Sequence, residues 1–187
     1  MSLLKNEIKK IDKKINGASS PYDTVIQDVL KVKKDETVLI IANPATAEIA
    51  QGFFHAVNQV KGKPSLIFQN DKTSFDNAEP SVLSAIESNP DVAISVSNIK
   101  LGKDPKAAAN PYKTENGQEY THIFDYLLDG KKSMRAVWTP GITMDMLNRT
   151  AAIDYDELKK RCKKLAELFK NVEFVHVTAP AGTDVIV

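Results

Sequence analysis

The feature that most constrains the fold is an alternation of short apolar runs with amphipathic helical patterns. Four of these runs predict strands that are covered on both faces, as in a parallel sheet: Thr37–Ala42, Pro64–Gln69, Asp91–Ser97 and Met134–Trp138. A fifth run, Glu173–Thr178, alternates more and predicts an edge or half-covered strand. Right-handed crossovers between such strands predict an α/β fold with a mainly parallel sheet and helices on both faces.

Helical patterns fall between the apolar runs. Capping residues and proline at the first turn predict helices that begin at Ser20–Pro21, Asn43–Pro44 and Pro80. Apolar spacing predicts a further helix over Gln118–Leu128, and an amino-terminal one near Leu3–Ile15. The helices therefore alternate with the strands through most of the chain.

The clearest helical pattern covers Tyr155–Lys170. Asp154 is the predicted N-cap and Glu157 follows three residues later, which is a capping-box arrangement. Five residues at helical spacing predict a buried stripe: Tyr155, Leu158, Cys162, Leu165 and Phe169. Cys162 is the only cysteine, so an internal disulfide is excluded and a reducing compartment is favoured. On a buried stripe its thiol is expected to be an inert core group.

Two segments depart from the alternating pattern. Asn98–Asn116 is a long polar connection after a predicted strand, and loops of that length are usually lids, contact surfaces or disordered. Thr183–Val187 begins another β-like run, in which the chain stops. We interpret this as a truncation at the start of a further strand, which predicts an α/β domain over residues 1–180 and the beginning of a second domain over residues 181–187.

Charge and hydropathy exclude several classes of protein. Lys and Arg number 25 and Asp and Glu 24, so a formal net charge of +1 gives no reason to expect nucleic acid or an anionic membrane as a partner. No apolar run reaches the roughly 18 residues of a membrane span, and the first residues lack the apolar core of a signal peptide. A cytoplasmic protein is therefore expected.

The sequence contains no self-sufficient catalytic motif. The turn after the first predicted strand, Asn43–Thr46, has no glycine for a dinucleotide, and phosphate-loop, HExxH and GxSxG motifs are missing. The three histidines, His55, His122 and His176, lie far apart and have no partner at ligand spacing. No catalytic residue and no metal ligand is predicted. Asp184 is either a turn residue that accepts hydrogen bonds from backbone amides or part of a site at a strand end.

Several segments of the chain resemble one known family. The residues concerned are Trp138–Leu147 (WTPGITMDML), Arg149, Ile153–Tyr155 and Thr178–Asp184 (TAPAGTD), with weaker similarity at Asp35–Ile41 and Ser97–Pro105. They resemble the amino-terminal domain of the aminopeptidase T family, which are leucyl aminopeptidase-like metalloproteases. The resemblance covers most of the chain and is most specific in its last third.

This resemblance implies a two-domain exopeptidase that removes amino-terminal residues from peptides. In that family two divalent metal ions, zinc, cobalt or similar, activate a water molecule. Their Glu, His and Asp ligands belong to a carboxyl-terminal domain that follows the Gly-Thr-Asp element, so no ligand can be assigned to this chain, which is expected to be inactive alone. The amino-terminal domain helps to wall the substrate cavity and supports a homodimer. Gly182, Thr183 and Asp184, with the Asn98–Asn116 connection, are therefore the candidate cavity-facing residues.

Three other readings remain open. Some relatives of these peptidases open hydroxylated pyridine rings with a mononuclear iron, whose ligands would also lie after Val187. A non-enzymatic α/β module for ligand binding or dimerisation is the second alternative. A nucleotide-binding enzyme of Rossmann type comes last, because the turn after the first strand has the wrong residues for it.

Overall fold

The computed structural model describes residues 20–187, so the helix predicted near Leu3–Ile15 lies outside the described residues. Residues 20–153 belong to one compact unit and residues 154–187 form a second. In chain order the first unit contains α1 (Pro21–Thr24), β1 (Thr37–Ala42), α2 (Ala47–Gln59), β2 (Lys63–Phe68), α3 (Pro80–Glu87), β3 (Val92–Val96), α4 (Pro105–Ala109), β4 (Tyr112–Lys113), β5 (Glu119–Tyr120), α5 (Ile123–Asp125), β6 (Arg135–Trp138) and α6 (Met144–Thr150). The predicted boundary after residue 180 stays a prediction.

Four strands form an all-parallel sheet in the order β2-β1-β3-β6, with Ile40 of β1 opposite Leu66 on one side and Ile94 on the other. Helices cover both faces, because α2 and α3 pack into two separate apolar clusters on opposite sides of the sheet. The structure therefore confirms the predicted fold class. The four strands are the four that the apolar runs predicted, with end points that differ by at most one residue.

The central strands are apolar on both sides, and alternate side chains divide between the two clusters. Val38, Ile40 and Ala42 of β1 face the cluster that contains α2, while Leu39 and Ile41 face the cluster that contains α3. All five side chains are buried. Complete burial of a side chain such as Ile40 contributes about 2 kcal/mol, so the two central strands supply a large part of the stability of the first unit.

The packing of α1 against α2 depends on a glycine. A Cβ atom at Gly52 would lie 2.3 Å from Cζ of Tyr22, so only glycine lets the tyrosine ring rest on α2 at this distance. The ring then meets Phe53 edge to face at 5.1 Å between centroids. Its hydroxyl donates to Sδ of Met144 at 3.4 Å, which ties α1 to the start of α6.

Two helices of the first unit end with the same wide turn. α1 continues as a π-helical turn over Val25–Val29, and α5 continues as another over Tyr126–Gly130. Each turn is followed by a lysine in the left-handed region, Lys31 with φ 51° and Lys132 with φ 54°. The left-handed residue reverses the chain at once, so each helix is followed closely by an extended segment.

The long connection Asn98–Asn116 contains regular structure that the sequence analysis did not predict. It includes α4 and β4, and the following residues, Glu119–Tyr120, pair with β4 instead of starting a helix at Gln118. Oδ1 of Asp104 accepts hydrogen bonds from the amides of Lys106 and Ala107, both at 3.1 Å, and so caps α4. The next helix, α5, starts at Ile123, where Nδ1 of His122 caps it by accepting from the amide of Phe124 at 3.0 Å.

The second unit consists of α7 (Tyr155–Phe169), β7 (His176–Thr178) and β8 (Asp184–Ile186), and its strands pair antiparallel. Oδ1 of Asp154 accepts from the amide of Glu157 at 2.9 Å, which confirms the predicted cap. The predicted buried stripe is wrong, since no residue of α7 is buried and Cys162 is exposed. One helix and one hairpin enclose too little volume to bury a core of their own.

Polar side chains fasten the amino-terminal ends of the strands. Asp91, just before β3, accepts from both the amide and the hydroxyl of Thr37 at 2.8 Å, which joins it to the start of β1. These two hydrogen bonds outweigh the desolvation of the carboxylate and hold its pKa below the ordinary value. Burial would raise the pKa of Glu36, but hydrogen bonds from Arg135 and the Lys33 amide, with the Arg135 charge, hold it low.

We predict that Asp91→Asn lowers the free energy of unfolding by about 1 kcal/mol at neutral pH, because an amide accepts more weakly than a carboxylate. The folded-state pKa lies below the unfolded value of about 3.9, so this stabilisation is present above that value and is lost as the pH falls through the lower folded-state pKa. Urea unfolding from pH 7 to pH 3 should therefore show the difference shrinking below about pH 5. Asp28→Asn on the exposed surface is the control, and a difference that stays constant down to pH 3 would contradict the assignment.

Candidate functional site

The carboxyl end of the sheet is where a ligand-binding site is expected in this fold. Open α/β sheets bind ligands where neighbouring strands send their helices to opposite faces, and here this point lies between β1 and β3. Asn43, directly after β1, is completely buried there. Its Nδ2 donates to the carbonyl oxygen of Gln69 at 2.8 Å, and its Oδ1 accepts from the amide of Asn98 at 2.7 Å. One side chain therefore bridges the segments that leave three strands.

Other polar groups complete this buried network. Nε2 of Gln69 donates to the carbonyl oxygen of Leu101 at 2.7 Å, and its Oε1 accepts from the amide of Glu79 at 3.1 Å. The hydroxyls of Ser95 and Ser97 lie 2.9 Å apart and are fully buried. Within residues 20–187 every buried side-chain nitrogen and oxygen has a hydrogen-bond partner. The crevice between β1 and β3 is thus filled by the protein's own groups.

An open cleft of about 290 Å³ lies beside the filled crevice. Its walls come from residues 73–74, residues 100–103, the start of α5 and Trp138 at the end of β6. Segments distant in the sequence meet here because β3 and β6 are neighbours in the sheet and their following residues leave at the same end. This cleft belongs wholly to the first unit and is its candidate functional site.

The cleft combines an aromatic surface with two cations. Nζ of Lys100 lies 5.4 Å from the ring centroid of Trp138, whose side chain is half-exposed. Nζ of Lys103 lies 5.6 Å from the ring centroid of the exposed Phe75. In the described part of the chain neither ammonium group forms an ion pair with a carboxylate. Each ammonium group has a weak cation–π contact that an anionic ligand could replace, and Asp76, outside the cleft lining, also attracts Lys103.

His122 and Gly102 give the cleft a fixed wall. Because Nδ1 of His122 accepts a hydrogen bond, its Nε2 carries the proton and donates to the carbonyl oxygen of Gly102 at 3.2 Å. Oδ2 of the buried Asp104 accepts from the amide of Ile123 at 3.1 Å and so holds the start of α5. The imidazole therefore has both nitrogens engaged, which indicates a structural role.

Asp125 is the acidic residue of this wall. Partial desolvation at the cleft raises the pKa of its carboxyl group. The neighbouring His122 acts in the opposite direction, and the like charge of Asp129 adds to the rise. The side chain still reaches solvent, so the carboxyl group can exchange protons there.

The residues that the sequence analysis proposed for a substrate cavity lie elsewhere. Gly182, Thr183 and Asp184 form the exposed turn and first strand residue of the β7–β8 hairpin in the second unit, where Gly182 has φ 97°. Oδ1 of Asp184 lies 2.6 Å from Nε2 of His176 across the two strands, so its partner is an imidazole and not the expected backbone amides. Their role in a substrate cavity stays a prediction.

No group of three His, Cys, Asp or Glu side chains in residues 20–187 comes together to hold a metal ion. Residues 20–187 therefore supply no two-metal centre, whose ligands the resemblance places in a carboxyl-terminal domain, and no ligand is assigned to them. Over the same residues, no helix is both long enough and apolar enough to cross a bilayer. No protein-family model matches the chain, and the search of curated proteins found none that is similar to it.

Sequence reasoning missed the residues that form the cleft, although Lys100–Lys103 lay within a segment proposed as functional. Trp138 was assigned to the end of a strand and to the start of a family-like segment, and Asp125 to a helix, without a role in a cleft for either. The available signal for Lys100–Lys103 and Trp138 was their position after β3 and at the end of β6, which places them at one edge of a parallel sheet.

We predict that Asn43→Asp lowers the free energy of unfolding by about 3 kcal/mol at neutral pH. The carboxylate cannot donate to the carbonyl oxygen of Gln69 and would be a buried charge. Protonation restores a donor, so the loss should become smaller as the pH falls toward 4. Asn58→Asp on the exposed face of α2 is the matched control. A loss below about 1 kcal/mol would show that the bridge does not hold the crevice together.

We predict that Gly102→Ala, in the wall of the cleft, also lowers the free energy of unfolding. The residue has φ 99°, and a Cβ atom would lie 2.4 Å from the backbone nitrogen of Ala78. Gly117 has φ 83° with no atom within 4 Å, so Gly117→Ala tests the backbone conformation alone. Thermal and urea unfolding should show about 1 kcal/mol for Gly117→Ala and at least about 3 kcal/mol for Gly102→Ala. Equal losses would mean that the contact with Ala78 has no energetic effect.

Proposed function

We propose that this chain is the amino-terminal domain of a metal-dependent aminopeptidase that releases amino-terminal residues from peptides. In this proposal it walls the substrate cavity, supports a homodimer and is inactive without a carboxyl-terminal catalytic domain. The all-parallel sheet of the first unit is the scaffold on which two of the resembling segments lie.

One observation carries the proposal: two segments that resemble the aminopeptidase T family meet at one cleft. Ser97–Pro105 and Trp138–Leu147 are separated by more than 30 residues of other structure. The amide of Thr139 donates to the carbonyl oxygen of Ser95, and the amide of Gly141 to that of Ser97, both at 3.0 Å. Segments that resemble a peptidase and also line one concave surface support a role in binding a peptide.

Exposed apolar residues in the second unit support the dimer and the catalytic domain of this proposal. Five of them, on α7 and the strand region, are Leu165, Leu168, Phe169, Phe174 and Ile186. Apolar residues clustered at this density on one small unit favour a surface that another protein surface covers. The proposal assigns that covering to the catalytic domain and to a second copy of the chain.

In this proposal the catalytic domain carries out the metal chemistry, and this chain contributes to peptide binding. The two divalent metal ions of the resemblance, zinc, cobalt or similar, would activate water and polarise the scissile carbonyl from the catalytic domain. The residues of this chain would bind and orient the peptide and restrict access to it. Gly182, Thr183 and Asp184 are proposed to face that cavity, because the resemblance is sharpest there.

A non-enzymatic ligand-binding module is the second candidate. The cleft favours it, because the first unit alone supplies the aromatic surface, the two lysines and the fixed wall. Such a module needs no residues beyond those described, whereas the peptidase needs a catalytic domain. Aminopeptidase activity of the native protein distinguishes the peptidase from the binding module.

The test is an aminopeptidase assay on the protein purified from its native source, beside the 187-residue chain. We expect the native protein to release the first residue of an unblocked leucyl tripeptide when zinc or cobalt is present, and the 187-residue chain to release none. An amino-terminally acetylated tripeptide is the control substrate, and a chelator should abolish the release. Absence of release from the native protein with every divalent metal tried would overturn the proposal and favour the binding module.

Replacing Gly182, Thr183 and Asp184 together by alanine in the native protein should raise KM by roughly fivefold with little change in kcat. Lys113→Ala on the β4–β5 hairpin, where Lys113 pairs with Glu119, is the control variant. An unchanged KM would remove these three residues from the cavity.

A further inference from the structure

The cleft of the first unit presents an apolar surface that suits a hydrophobic side chain. The ring of Trp138 is half-exposed, while Phe124 and Leu101 are buried and form firm walls beside it. A ring or branched aliphatic group placed against Trp138 would remove apolar area from water on both partners. The apolar part of a ligand is therefore expected at the Trp138 end.

The charges of the cleft favour an anion. Lys100 and Lys103 line it, and neither is paired with a carboxylate in the described part of the chain. Among the residues that line the cleft, two positive charges stand against the one negative charge of Asp125; outside the lining, Asp76 also attracts Lys103. Both ring nitrogens of His122 are engaged in hydrogen bonds within the protein. A ligand with a single carboxylate near the two ammonium groups would neutralise the net positive charge of the side chains that line the cleft.

The cleft has room for about one amino-acid residue. Its volume of about 290 Å³ is near the lower end of small-molecule sites, which begin at roughly 300 Å³. A molecule of this size with one carboxylate and one apolar side chain matches both the charge and the surface. The carboxyl-terminal residue of a peptide has these properties.

We propose that the cleft binds the carboxyl-terminal residue of short peptides, with its carboxylate at Lys100 and Lys103 and an apolar side chain against Trp138. The identification of the ligand as a peptide rests on the proposed function; the chemistry of the site rests on the cleft alone. The substrates of the proposed peptidase are accordingly short peptides that end in an apolar residue.

Trp138 is the only tryptophan of the chain and reports binding directly. Titration of the 187-residue chain with N-acetyl-leucine should change the tryptophan fluorescence with a Kd of about 1 mM. Two matched compounds separate the contributions: N-acetyl-leucinamide has no carboxylate, and N-acetyl-glycine has no side chain. Each should bind at least about tenfold more weakly.

Variants of the two lysines and of Asp125 test which side chains interact with the carboxylate of the ligand. Lys100→Ala and Lys103→Ala should each raise the Kd by about fivefold to tenfold, and Lys113→Ala should not change it. Asp125→Asn removes the opposing negative charge and should lower the Kd by about threefold. A far-ultraviolet circular dichroism spectrum identical to that of the parent shows that each variant is folded.

Equal affinity for N-acetyl-leucine and its amide, or no saturable change in fluorescence, would overturn this inference whether or not the native protein is a peptidase. Binding by the 187-residue chain without peptidase activity in the native protein would support the carboxylate site and overturn only the proposed function. The two failures are therefore distinguishable.

Discussion

The side chain of Asn43 is the contact on which the carboxyl end of the sheet depends. It donates to the segment after β2 and accepts from the segment after β3, while its own backbone lies directly after β1. An amide is suited to this position because one planar group offers both a donor and an acceptor without a charge. The direction in which residues 98–103 leave the sheet follows from this bridge, and those residues form one wall of the cleft.

The sheet was predictable because its strands are buried on both faces. Such strands are short runs of nearly continuous apolar residues, and TVLIIA is an example that no helix period explains. Pro80, with Val82, Leu83 and Ile86 after it, likewise determined the helix that forms. The elements missed were short: α4, β4 and β5 have five residues or fewer and α6 has seven, and their stability depends on contacts with distant segments. The Asp104–Pro105 start signal was nevertheless present.

Neither the cleft nor the exposure of α7 could be predicted from local sequence. Four separate segments supply the cleft, and only the strand order brings Lys100 over Trp138. The apolar residues of α7 recur with the spacing of a buried helix face. This spacing shows only that one side of the helix is apolar, and it does not show what covers that side. Cys162 is an example, because its position on the apolar stripe predicted a buried thiol, whereas the structure shows an exposed one.

The two outer strands of the sheet offer little to a further strand. Because the amide of Lys63 donates inward to Glu36, alternation turns the nitrogen of the next residue, Pro64, toward the open side of β2, where it has no hydrogen to give. On the opposite side β6 is only four residues long and starts with the charged Arg135. These features discourage edge-to-edge growth into fibrillar or swapped assemblies, so two copies of the chain that associate are directed to use side-chain surfaces instead of a continuous intermolecular sheet.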